Sequence, residues 1–173
     1  MQKRGFTLIE LLTVIAIIGI LSTIVVAALG NARASGRDAK RISDIKNIEL
    51  ALKLYYTDNA KYPQPQGTPA SLTPILVPNY LPKLPTDPTT GADYFYAALV
   101  GGSGSTCVSY HLGAVLEKAS TALYDDADSS GGTICTSGGN EFSGLTTDCI
   151  STTATAVTAT TPNGTERCYD TKP

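Results

Sequence analysis

Tryptophan, paired histidines and metal-spaced cysteines are what this chain of 173 residues does without. Its single histidine, His111, cannot complete a common zinc set with four cysteines that never fall in a CxxC pair. No GxSxG turn, glycine-rich phosphate loop or spaced histidine pair is present. His111 sits in an apolar, strand-like run with no nucleophile beside it, and reads as a packed or surface imidazole. The chain is therefore expected not to be an enzyme and to require no cofactor. With no Trp, aromatic packing falls mainly to nine Tyr. Tyr55, Tyr56, Tyr94 and Tyr96 read as core and rim rather than a ligand box. Basic residues are scarce in the back of the chain, where residues 63–173 hold four Lys/Arg against ten Asp/Glu. That acidity argues against nucleic-acid binding there. Residues 1–62 are the reverse, with nine Lys/Arg against five Asp/Glu.

What the sequence has is a long apolar front. Phe6 to Leu29 is 24 residues with one charge, Glu10. As a helix it measures about 36 Å, more than the ~30 Å hydrocarbon core of a bilayer. Lys3 and Arg4 precede it, and the positive-inside tendency places them in the cytoplasm and the rest of the domain outside. A cleaved secretory signal with Ala32-Arg33-Ala34 as its cut site would need a shorter apolar run of 7–15 residues. A plain signal anchor leaves Glu10 unexplained, since a carboxylate at the centre of a membrane helix costs about 2.5–3.5 kcal/mol, and less near its end.

Lys3-Arg4-Gly5-Phe6-Thr7-Leu8-Ile9-Glu10-Leu11-Leu12 resembles the class III signal of type IV prepilins and type II secretion pseudopilins. The resemblance implies cleavage between Gly5 and Phe6 by a prepilin peptidase, N-methylation of the new amine on Phe6, and an assembly role for Glu10. Physically, cleavage frees an ammonium group and removes two charges that hold the helix at the membrane surface. Glu10 of one subunit could then pair with the Phe6 amine of a neighbour, and an unpaired buried charge would be penalised, so the pair would set subunit stagger. The implied partners are copies of the chain, other pilins, the peptidase, a pilus assembly platform and the membrane; DNA has no specific support. The implied location is the inner membrane for the precursor, then a surface pilus or a periplasmic pseudopilus.

Helical periodicity continues past the apolar run. Ile42, Ile45, Ile48, Leu52 and Tyr55 or Tyr56 recur at spacings of three and four, with Leu50 and Leu54 widening the stripe. One helix from about Phe6 to Asp58 would be about 80 Å long. Gly30 and Gly36 weaken it without a proline to break it. Arg33, Arg37, Lys40 and Arg41 gather on one face, for anionic lipid, DNA or acidic neighbours, or as a solvated face partly neutralised by Asp38 and Asp44.

Eight of the ten prolines lie in residues 63–88, which excludes regular helix and central strand and predicts an ordered loop with a short turn near Ser71 to Leu76. Tyr94 to Val100 and Cys107 to Leu116 read as two strands of an antiparallel hairpin. The run Leu84-Pro85-Thr86-Asp87-Pro88 with Gly91 and Tyr94 to Tyr96 is similar to the loop and first strands of G-type pseudopilins. Residues 117–173 carry no such motif and read as strands, loop or both. Cys107, Cys135, Cys149 and Cys168 suggest two disulfides in an oxidising compartment, with three connectivities open. Asp125, Asp126 and Asp128 form an acidic cluster in which Asp126-Ala127-Asp128-Ser129-Ser130-Gly131 copies the front of a calcium loop, but Ser137 stands where the closing glutamate belongs; the alternative is an exposed acidic turn. Asn163-Gly164-Thr165 fits a glycosylation pattern by composition alone.

The expected fold is α+β, a pilin fold with a long N-terminal helix on a small antiparallel sheet. Its parts are a leader at 1–5, an assembly half at 6–29, an amphipathic half at 30–62 and a disulfide-tied head at 63–173.

Overall fold

A computed structural model describes residues 7–65, 71–101, 106–118, 121–124, 127, 132–139, 149 and 167–173. The elements in order are helix α1 (Leu8–Asn59), the one-turn helix α2 (Thr73–Leu76), strands β1 (Phe95–Val100) and β2 (Cys107–Val115), a 3-10 turn (Thr121–Tyr124), β3 (Ile134–Gly139) and β4 (Cys168–Thr171). The arrangement is the α+β one expected, a long N-terminal helix with a four-stranded antiparallel sheet of order β3-β1-β2-β4. Two compact units divide at Gly36 and Arg37. The first is helical, and the second holds the rest of α1 together with the sheet.

α1 continues through Gly30 and Gly36, as the lack of proline there allows. It stops at Ala60, whose φ of 55° is left-handed and whose N–H still reaches the Tyr56 carbonyl at 2.8 Å. Pro63 and Pro65 then forbid helix. The chain turns back, and Tyr62 donates its N–H to the Cys107 carbonyl at 2.7 Å. Tyr96 donates its hydroxyl to the Pro63 carbonyl at 2.8 Å.

β1 and β2 form the expected hairpin, from Phe95 opposite Gly113 to Leu99 opposite Ser109, with an irregularity before Val100. Alternation along the strands splits the sheet into two faces. Tyr96, Ala98, Tyr110, Leu112 and Ala114 join Ile45, Ile48, Ala51 and Leu52 of α1 in the main core. Tyr62 packs edge-on against Tyr110 with ring centres 4.7 Å apart. Phe95 and Val115 lie on the other face with the Cys149–Cys168 disulfide. His111 is fully buried, its Nε2 2.5 Å from Asp170 Oδ2. Of the three open connectivities, the structure forms Cys107–Cys135 and Cys149–Cys168. The first joins β2 to β3 and the second ties Cys149 to β4.

One expectation fails on the helix. Leu50 and Leu54 do not widen the buried stripe; they are 60% and 48% exposed. The stripe is narrower because Ala51, a small residue that periodicity reading passes over, takes the flank. Leu52→Ala should therefore cost about 2–5 kcal/mol, the range for emptying a buried leucine site. Leu54→Ala should stay within about 0.5 kcal/mol, as surface changes do. Urea unfolding of the two variants in detergent, followed through the sheet, checks the contrast.

Candidate functional site

The first unit offers an unusual helix surface. From Leu8 to Leu29, fourteen large apolar side chains lie between 46% and 81% exposed, on every side of α1. A helix apolar all round belongs in lipid or among other helices. It is long and apolar enough to cross a membrane. Two of its hydroxyls are turned inward on the backbone: Thr13 donates to the Glu10 carbonyl at 3.0 Å and Thr23 to the Ile20 carbonyl at 2.7 Å. In hydrocarbon each would otherwise be an unsatisfied polar group.

The helix starts on a reciprocal cap. Glu10 Oε2 accepts the Thr7 amide at 2.8 Å and the Thr7 hydroxyl at 2.6 Å, while the Thr7 hydroxyl accepts the Glu10 amide at 3.4 Å. This is a capping box, Thr at the N-cap and Glu three residues on. Thr7 was not among the residues singled out from sequence. The Thr-x-x-Glu spacing before an apolar run was the available signal. In the single chain, then, Glu10 is held by its own helix and is not an orphan charge. Gly5 and Phe6 lie outside the described residues, as do Asp125, Asp126 and Asp128.

The second unit carries a charged fork at its first turn. Arg37 grips Glu117 with two parallel bonds of 2.7 and 2.5 Å. Arg41, only 4% exposed in its side chain, reaches three carboxylates: Asp87 at 2.6 Å, Asp38 at 2.8 Å and Glu117 at 2.8 Å. It also donates to the Thr89 hydroxyl at 2.9 Å. Asp38 in turn accepts the backbone amides of Glu117 at 2.8 Å and Lys118 at 3.1 Å. Alongside, Lys40 pairs with Asp44, which accepts the Tyr94 hydroxyl at 2.9 Å. Arg167 donates to the Glu117 carbonyl.

The loop that presents Asp87 is built for it. Pro85 and Pro88 restrict the backbone, and Gly91 supplies a φ of 71° that closes the turn on the Asp87 carbonyl at 2.9 Å. Asp87 Oδ1 accepts the Thr89 and Thr90 amides, both at 2.8 Å. Of the basic set on α1, Arg41 is buried among carboxylates, while Arg37 and Lys40 pair with carboxylates and keep side-chain exposures of 38% and 55%. The acidic neighbours of these three come from the same chain. Asp38 and Asp44, adjacent in sequence, were legible as partners; Asp87 and Glu117 were not.

These bonds set the protonation of the fork. The two arginines hold Glu117 down to about 2. Burial alone would raise Asp87, but the Arg41 bond and the Thr90 and Thr89 amides outweigh it and hold Asp87 well below the usual carboxylate range. Burial also works against the charge on Arg41, and its carboxylate bonds raise its pKa overall. Folded, both carboxylates release their protons more readily than they do unfolded. Their contribution to stability is complete above the ordinary carboxylate range and is lost as pH falls through it toward the folded values. The melting temperature of the second unit should therefore drop as pH falls from about 4.5 toward about 2. Glu117→Gln should flatten the upper part of that drop, which thermal melts across this range will read. At the other end of α1, Thr7→Val should loosen the first turn by about 1 kcal/mol. Faster amide exchange confined to the first turn of α1 would register it.

Residues 1–26 match the family model described as a prokaryotic N-terminal methylation motif. A type II secretion system core protein G of Klebsiella michiganensis is 40% identical over 103 residues, 54% of this chain and 72% of the relative. Those of Escherichia coli K12 and Vibrio cholerae are 39% and 36% identical over 103 and 122 residues. These alignments cover 54% and 65% of this chain and 70% and 82% of the relatives. No solved structure gives a significant match. With the methylation motif, the cap on an exposed apolar helix and this identity, the chain belongs to the type IV pilin and pseudopilin family.

Proposed function

We propose that the protein is a structural subunit of a type IV pilus-like filament, and within that class a core pseudopilin of a type II secretion system. The observation that carries the class is the front of α1, apolar on every side with one carboxylate in its first turn. The choice of a secretion pseudopilus over a surface pilus is supported by the relatives, each named a type II secretion system core protein G. In this reading the precursor inserts with Lys3 and Arg4 inside. A prepilin peptidase cuts after Gly5 and Phe6 is methylated. The helices then leave the bilayer for a bundle of like helices.

Glu10 has the central part in that exchange. In the single chain it caps its own helix through Thr7. In the bundle its carboxylate meets the Phe6 amine of a neighbour, an opposite charge in a medium of low dielectric. A tethered extracellular domain with a passive anchor would need no such carboxylate.

Glu10→Val should leave the chain in the membrane, cut and methylated, but unable to form fibres. Mass spectrometry of the N-terminus and electron microscopy of sheared fibres make the test. Normal fibres from the variant, or an intact Met1 in the wild-type protein, would overturn the reading. Deleting the gene should block export of secreted proteins if the fibre serves secretion. If export is unaffected while surface filaments disappear, the pilus reading replaces it.

A further inference from the structure

The charged fork at the start of the second unit does something the apolar contacts cannot. Burial of Ile45, Ile48 and Leu52 is non-directional, and its strength follows area. The row Ile42, Ile45, Ile48, Leu52 also repeats its own chemistry along α1. Sliding α1 by one turn, about 5.4 Å, would put Ile48 in the place of Leu52, Ile45 in that of Ile48 and Ile42 in that of Ile45. Such volume-conserving exchanges usually cost less than about 1.5 kcal/mol. The isoleucine and leucine row therefore holds the helix down but specifies its axial position weakly; among the apolar contacts Ala51, whose place Asn47 or Ile48 would take, is the exception.

Asp38 is not degenerate in this way. It is buried, pairs with Arg41, and accepts the amides of Glu117 and Lys118 where β2 ends. The residues one turn away are Ala34 and Ser35 on one side and Arg41 and Ile42 on the other. None carries a carboxylate. A one-turn slip in either direction removes the acceptor from both amides and brings either no charge or a cation in its place. The arginines repeat every four residues, so a slip toward Arg41 would bring Arg37 into its place and Arg33 into that of Arg37, and Asp87 and Glu117 would keep a cation; the non-repeating element of the fork is Asp38, which Arg41 holds in place.

We propose that Asp38, held by Arg41 and accepting the amides of Glu117 and Lys118, is a register lock that fixes the axial position of the docked half of α1 on the sheet. Setting register is the best-attested use of buried ion pairs, whose net stabilisation is otherwise small. In a fibre the lock would stop the head from slipping along its helix under axial pull. That use rests on the filament reading; the lock itself is a property of the single chain.

The test is amide hydrogen exchange of the full chain in detergent micelles, for wild type and Asp38→Ala. The expected result is about tenfold faster exchange in residues 37–44 and at Glu117 and Lys118, with β1 and β2 amides still protected. Lysine cross-linking of the same samples should show new links from Lys83 or Lys118 to helix lysines one turn along. Unchanged exchange and unchanged links would overturn the lock. So would an equal rise in β1 and β2, which marks a general loss of stability. If Asp38→Ala does not fold, Asp38→Asn, which keeps the volume and gives up the charge and one acceptor oxygen, is read by the same criteria. Because no fibre is involved, failure of the filament reading would show in the Glu10 experiment and leave this one standing.

Discussion

A helix that is apolar on every side has to be covered by something, and the front of α1 is not covered by its own chain. The fourteen exposed side chains between Leu8 and Leu29 set the terms for the rest of the molecule. Fully burying one such side chain is worth about 1.5–3 kcal/mol, so the set amounts to tens of kcal/mol. The cost of carrying a carboxylate near the end of that helix, at most about 3 kcal/mol, is small beside it. Lipid can satisfy the apolar surface, and so can like helices. In the filament proposed above, Glu10 distinguishes the two, because the bundle would set a neighbour's N-terminal amine beside it. The capping box with Thr7 makes the lipid state tolerable without making it final.

The rear of the same helix answers to water and to a sheet. There, one stripe is buried and the rest is wet. The basic residues that follow the membrane half are drawn onto carboxylates from the Asp87 loop and the end of β2. Two of the ten carboxylates of residues 63–173, Asp87 and Glu117, meet two of the nine basic residues of 1–62, Arg37 and Arg41, at this one place. Basic front and acidic back meet in a fork of two arginines and three carboxylates, with a lysine and Asp44 beside it.

Much of this was legible in the sequence, and the reasons differ by element. α1 was legible because period and length are local signals, and the β1–β2 hairpin because a short link joins two aromatic, β-branched runs. The family was legible because its motif is compact and contiguous. The flank of the helix stripe was misread, since leucines at 50 and 54 weigh more in any hydropathy pattern than an alanine at 51. Burial is decided by what lies opposite, and small residues win where backbone approaches closely. The cysteine pairing and the Arg41–Asp87 and Arg37–Glu117 contacts were not legible. They join residues 46 or more positions apart in the ion pairs and 19 and 28 apart in the disulfides. Thr7 was missed for a different reason: its spacing from Glu10 is a plain capping signal, overshadowed by the motif that contains it.

The strand order β3-β1-β2-β4 carries a consequence for how the fold is reached. β1 and β2 can pair early, since only a short turn separates them. β4 begins at Cys168, more than fifty residues beyond the end of β2 at Val115. Contacts of such separation form late, after the entropy of closing a long loop has been met. Until then one edge of β2 is an open row of amides and carbonyls, and an open edge is a template for the wrong strand. His111 waits for Asp170 over the same interval. The Cys149–Cys168 link shortens the stretch of chain that must close, so oxidation at that pair and closure of the sheet edge are coupled events. The order in which this domain matures is thus written into its strand order: hairpin first, edge last, with a covalent tie guiding the final strand home.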